Sequence, residues 1–340
     1  MKRHLSAFLA VSFLGLAPSA VAEPEADAAA APARATLTTG VPAVNARLAD
    51  SRWGQAPDAF SAPTNGPDAT VTGPYYAWRM SGDDGIIRRN WAAMKALAAS
   101  DAANAPAADD LLGHYLAACR KLHETKLMAE IARQLGEDDF ADACFDRADA
   151  QSDELKAKFC EKDGQLLKAL RTRSVAAMWA LKLDLVEDAR DKTLAALKKS
   201  VLARGVRLPE SALEMRLLLE TLTEAEAPEV AYALLLKGGF APAADGAALD
   251  WLYGAAAGIQ PGPKGGFDEM VELMPSPDKR LGSVEATYRN RHGVITSAWR
   301  YDAKGRCHWT FSVPEGTRAT VCVNGMCRPY RSGRYELEIK

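Results

Sequence analysis

The sequence predicts a two-part chain, helical first and β last, and three observations carry that reading. Apolar residues recur at helical spacing from Pro74 to about Ile259. The loops between those helices are short, which stacks them as antiparallel hairpins. The closing stretch, Gly282 to Lys340, alternates runs rich in Val, Ile, Thr, Tyr, Phe and Trp with Gly, Pro and Asn breaks, the pattern of a small antiparallel β-domain. The chain has 340 residues, 25% charged and 48% hydrophobic, enough for two modest cores. Its formal net charge of −2 gives no basic footprint for nucleic acid.

Residues 1–22 read as a secretory signal. Lys2, Arg3 and His4 are its positive start, Leu5 to Leu16 its apolar core, and Ala20-Val21-Ala22 its small-residue cleavage site. The core is too short to span a bilayer stably. No later stretch is apolar enough to span one, so a periplasmic or secreted protein, off the membrane once the signal is cleaved, is expected. Residues 23–70 are rich in Ala, Pro, Thr and Gly and read as a linker that gains order toward its end.

The helical domain is expected over 71–264. Pro74 sits in the first turn of a short helix carrying Tyr75, Tyr76 and Trp78. Asp83 and Asp84 stand where an N-cap belongs, ahead of Ile87, Trp91 and Met94. Asp109 or Asp110 starts a long helix that Gly136 ends. Asp138 starts the next, which reaches Cys160 and stops at Gly164. Gln165 to Leu183 and Val186 to Ala203 form a further pair. Pro209 and Pro228 each open a helix, and Asp245 caps the last, which bears Trp251.

The β-domain is expected over 265–340, with Trp299 and Trp309 in its core. Cys322 and Cys327 flank Val323-Asn324-Gly325-Met326, and Asn-Gly is a favoured two-residue hairpin turn. Val323 then faces Met326, and Cys322 faces Cys327 as a non-hydrogen-bonded pair with Cα atoms about 4.5 Å apart. A Cys322–Cys327 disulfide is expected. The pairing of Cys119, Cys144, Cys160 and Cys307 stays open.

No chemistry-bearing motif stands out. No second Cys/His pair has zinc-ligand spacing, and His114 and His123 are nine residues apart rather than four. SGDDG and GPKGG lack the context of a phosphate loop or a nucleophile elbow. The acidic pairs Asp83-Asp84, Asp109-Asp110 and Asp138-Asp139 each read as helix caps. No metal and no cofactor are expected. Tyr75, Tyr76, Trp78, Trp179 and Trp251 are candidates to stack on a sugar ring, against the commoner use of such rings to fill the core between hairpins.

The β tail closely resembles the C-terminal β-sandwich of bacterial α-L-rhamnosidases, glycoside hydrolase family 78. VEATY, GVITSAW and WTFSVPEGTRATV carry the likeness, in that order. Upstream, YYAWRMSGDDGIIRRNWAAMKAL, MAEIARQLGEDDFADACFDRAD, EVAYALLLKGG and DGAALDWLYGAAAGIQP resemble successive parts of the family's six-hairpin (α/α) barrel. The resemblance runs from about Pro67 to Lys340. It implies a partial (α/α) six-hairpin barrel followed by a C-terminal antiparallel β-sandwich. A full barrel needs a dozen helices, and this chain has sequence for roughly eight to ten.

The family is an inverting glycosidase, which needs one carboxyl group as acid and another as base, about 6.5–9.5 Å apart. Gly40 to Leu48, GVPAVNARL, resembles the stretch that carries the acid. Pro42, Arg47 and Leu48 match, while Gly40, Asn45 and Ala46 replace its acidic positions, Ala46 standing where the acid belongs. The aromatic-flanked Glu motif of the base is absent between the last two matched helices, and Ala241-Pro242 replaces an Asn-His. The resemblance therefore implies a rhamnosidase-like protein with little or no catalysis and no catalytic residue. The alternatives are a module that binds a rhamnose-containing glycan, with Tyr75, Tyr76, Trp78 and Trp251 as candidate contacts, or a structural protein whose open helical face is covered by an oligomeric partner.

Overall fold

The computed structural model describes residues 35–50, 71–99, 106–203, 208–238 and 242–340. The expected signal peptide, and the expected linker outside 35–50, lie outside those residues.

The helical part runs as predicted in most places. α2 (Thr72–Ser81) ends on left-handed Gly82. α3 (Asp84–Ala99) follows, with the Asp83 carboxylate accepting from the Gly85 amide at 2.8 Å. α4 (Leu111–Leu135) is capped by Asp110, which accepts from the Gly113 amide, and ends on left-handed Gly136. α5 (Asp138–Phe159) packs back along it as a hairpin.

Three boundaries differ from expectation. Gln165 to Leu183 is not one helix but α6 (Lys168–Arg171) and α7 (Ser174–Lys182). The turn at Asp163-Gly164 folds the chain back, so that Leu166 bridges Cys160 and the backbone enters α6 only at Lys168. After α8 (Arg190–Leu202), α9 (Ala212–Glu224) starts later than Pro209, because the Ser211 hydroxyl caps the Glu214 amide at 3.2 Å. α10 (Pro228–Lys237) begins on its proline as predicted. α11 (Pro242–Trp251) begins before Asp245, which lies in the first turn and pairs with Arg47. A buried π-helical turn, Leu252–Ala257, leads from α11 into the sheets.

The larger correction concerns the expected linker. Ala35–Thr39 is a strand, β1, and Pro42–Asp50 is a helix, α1. β1 alternates buried and exposed residues and joins the edge of the C-terminal sheet, antiparallel to Ser283–Asn290. Its Ala and Thr content hides it from composition, but the alternation Ala35, Leu37, Thr39 inward is the period of a half-buried strand. Asn45 then locks α1 to β1, accepting from the Thr39 amide at 2.8 Å and donating to the Thr39 carbonyl at 2.8 Å.

The β-domain has two sheets. One has the order β1, β4 (Ser283–Asn290), β5 (Gly293–Tyr301), β6 (Cys307–Val313) and β9 (Gly333–Ile339), all antiparallel. The other joins β2 (Ile259–Pro261), β3 (Met270–Leu273), β7 (Arg318–Val323) and β8 (Met326–Tyr330). The expected all-antiparallel arrangement is corrected here, because β3 and β7 are parallel. Parallel pairing follows from the long connection between them, through the other sheet. Strands also begin earlier than residue 265, at Ile259 and, from the other end, at Ala35.

Asn324 and Gly325 both have positive φ, 52° and 73°, as a type I′ turn requires. Val323 faces Met326, and Cys322 faces Cys327 across 4.0 Å in a disulfide. This hairpin is closed by its own turn and encloses few residues. Converting both cysteines to serine should therefore cost no more than about 2 kcal/mol, measured as a small loss of melting temperature.

Candidate functional site

Burial decides what the predicted aromatic contacts can do. Tyr75, Tyr76, Trp78 and Trp251 are 3%, 9%, 2% and 2% exposed. Tyr75 donates its hydroxyl to Glu130 at 2.6 Å, and its ring meets Tyr76 and Trp78 edge-on. The Trp78 indole donates to Asp84 at 3.0 Å, and that of Trp251 to Thr223 at 2.9 Å. The Arg216 guanidinium lies 4.7 Å above the Tyr76 ring. Protein neighbours occupy these rings, so the alternative of core filling describes them, and Trp179, fully buried, joins them.

Behind Tyr76 lies a buried charge network. The Lys182 ammonium reaches Glu220 at 3.2 Å and Glu224 at 2.7 Å, and Arg216 reaches Asp250 at 3.3 Å. Burial pushes the Glu220 carboxyl up to about 6, against the pull of Lys182. Burial alone depresses the Lys182 ammonium, but Glu220 and Glu224 overcome it and hold it well above its ordinary value. His123, packed on Trp179, is driven down to about 3 by burial and by Lys182, so it is neutral. Charges this deeply buried need partners, and these helices supply them to one another.

The accessible site is elsewhere. A cleft of about 630 Å³ opens where α7 and α9 begin, beside the first turns of α4. Leu112, Leu116, Met178 and Leu218 form an apolar floor. Arg173, Ser174 and Ser211 bring polar groups to its rim. Its carboxylates among the described residues are Glu210, just ahead of α9, and Glu214, in the first turn of that helix. Glu214 is held by Arg120 at 2.9 Å. None of the predicted aromatic residues lines the cleft. Its polar rim was not singled out from sequence, although Ser211 and Glu214 stand in the S-x-x-E order that marks a helix start.

The stretch expected to match the acid-bearing segment is α1. Asn45 ties α1 to β1, Arg47 donates to the Leu235 carbonyl at 2.8 Å and pairs with Asp245, and Ala46 is exposed. Between α10 and α11 lie only the four residues 238–241.

Helices stacked as antiparallel hairpins and followed by two β-sheets make this a multi-domain protein, α first and β last. Residues 99–241 match the bacterial alpha-L-rhamnosidase six-hairpin glycosidase domain, and residues 258–336 match the bacterial alpha-L-rhamnosidase C-terminal domain. The chain belongs to the bacterial alpha-L-rhamnosidase family through these two domains, in that order. An alpha-L-rhamnosidase of Streptomyces avermitilis is 33% identical over 78 residues, which is 23% of this chain and 7% of that protein. The fold is similar to that of the native rhamnosidase of Aspergillus terreus, with a TM-score of 0.68 at 17% identity, over 80% of this chain and 38% of that one. The rhamnosidase of Dictyoglumus thermophilum gives a TM-score of 0.65 at 17% identity, over 80% and 39%. The chain thus spans well under half the length of these relatives.

Proposed function

We propose that this chain keeps the rhamnosidase scaffold without its proton chemistry, and that its cleft binds a rhamnose-containing glycan without cleaving it. One observation carries the first half. An inverting glycosidase places its acid and base across the bond to be cut, about 6.5–9.5 Å apart. Here the carboxylates lining the cleft among the described residues are Glu210, just ahead of α9, and Glu214, in its first turn, and Glu214 is neutralised by Arg120. The position that resembles the family's acid is the exposed Ala46, and four residues leave no room for the base motif between α10 and α11. The second half rests on the cleft's chemistry. A 6-deoxy sugar carries one methyl group, which suits Leu112 and Leu116, and hydroxyls that suit Arg173, Ser174 and Ser211. Export from the cytoplasm belongs to the same reading, supported by the leader pattern and the Cys322–Cys327 bridge.

With an aryl α-L-rhamnoside, the purified chain should release no phenol above background. Turnover near or above about 1 s⁻¹, the lower end of ordinary enzymes, overturns the non-catalytic reading. In calorimetric titration with rhamnose oligosaccharides, saturable heat should appear and should fall sharply in Arg173→Ala, whose side chain is exposed and outside the core. Absence of heat removes the binding half and leaves the first half standing.

A further inference from the structure

A second cavity, about 510 Å³, lies where the helical array meets the sheets, away from the cleft. One side is the α2–α3 turn, with Gly82 and Asp84, and Gln134 of α4. The other is the loop Gly262–Gly266 with Asp268, Glu269, Arg291 and Arg318. Its walls are fixed. The buried Arg79 guanidinium donates to the carbonyls of Gly262 and Pro263 at 2.8 and 2.9 Å, and the Gly266 amide donates to the Arg79 carbonyl at 2.8 Å. Gly265 has a φ of 78°, and a Cβ there would sit 2.8 Å from the Trp78 carbonyl oxygen, so this closeness requires glycine.

Acidic and basic side chains line this cavity together, and only some of them pair with one another. Asp84 takes its hydrogen bonds from neutral donors, the Trp78 indole at 3.0 Å and the Gln134 amide at 2.9 and 3.1 Å. Arg291 pairs loosely with Asp268 and Glu269, 3.7 Å from each, while its backbone amide donates to Asp268 at 3.2 Å and its Nε to His292 at 3.0 Å. Lys264 and Arg318 form no ion pair among the described residues. Three acids and three bases therefore face one preformed space with donor and acceptor capacity left over. A ligand with a net charge is attracted by one half of them and repelled by the other, so it gains little from the set as a whole. A neutral ligand with adjacent hydroxyls satisfies both kinds, donating to Asp84 and accepting from Lys264 and Arg318. We infer that this junction cavity is a binding site for a neutral saccharide unit with vicinal hydroxyls, separate from the helix-start cleft and independent of it.

Two-dimensional amide NMR of the full chain, titrated with L-rhamnose and D-mannose, tests this. Sodium acetate at equal ionic strength serves as a charged probe without a diol. Both sugars should move the Gly82, Gly265 and Gly266 amides saturably, and acetate should not. Arg318→Ala and Lys264→Ala should each weaken that response about tenfold, the loss expected for a hydrogen bond to a charged group. Both side chains are exposed, and the Arg318 contact to the Glu269 carbonyl is made by its backbone amide, so folding survives. Arg173→Ala should leave the junction amides unaffected, which separates failure at this site from failure at the cleft. No saturable shift, an equal shift with acetate, or an unchanged response in both junction variants overturns the inference.

Discussion

Lys182→Met should lower the melting temperature on the order of 10 °C, and the loss should depend on pH. The substitution keeps the volume of the stem and removes the ammonium that pairs with both Glu220 and Glu224. Glu220 is 3% exposed, so its charge has no route to water. Removing one partner of such a pair costs about 3–5 kcal/mol, because the other is left charged and buried. At this size each kcal/mol is worth about 2–4 °C. The sign of the pH effect follows from Glu220, whose native value of about 6 lies above the ordinary 4.5. The native state binds that proton more tightly than the unfolded chain does. Stability therefore falls as pH rises through the window from 4.5 to 6, then levels off. Without Lys182 the carboxyl climbs further, and the fall continues toward neutral pH. The gap between variant and parent should be widest near neutrality and narrow on acidification below the native value. Adding Glu220→Gln should recover much of the loss. Parallel melting curves at acid and neutral pH, or no recovery in the double variant, would refute the role given to this network.

Trp299→Ala should be comparably damaging and should also uncouple the two parts of the chain. Trp299 is 2% exposed, pairs across strands with Trp309, and donates its indole N–H to the Ala256 carbonyl at 2.6 Å. Ala256 belongs to the π-helical turn that ends the helical array. Ser297 donates to the next carbonyl, Ala257, and Tyr253 of the same turn donates to the Thr287 carbonyl at 2.9 Å. One hydrophobic cluster accordingly runs from the helices into both sheets. Truncation removes a large buried ring, at about 3–5 kcal/mol, and orphans the Ala256 carbonyl. By calorimetry the parent should melt in one transition and the variant in two, with the sheets melting first. A single transition within about 2 °C of the parent would show that the ring does not couple the domains.

The sequence by itself determined the helix and strand inventory wherever local signals agree with the global fold. Asp110 and Gly136 bracket α4, and Asn324-Gly325 set the register that brings Cys322 to Cys327. The order of family-like segments also named the family, because ordered patterns survive where single residues drift. Local signals did not reach β1, whose short Ala/Thr run pairs with β4 some 250 residues away, nor the break between α6 and α7, made by a fold-back on Cys160. Which aromatic rings are available, which carboxylates are neutralised, and where the cleft and junction cavity lie were decided by the tertiary structure alone. A ring or a carboxylate has the same chemistry at every position in a chain; what differs is whether water, a neighbouring charge or an empty space lies against it, and that is fixed only when distant segments pack.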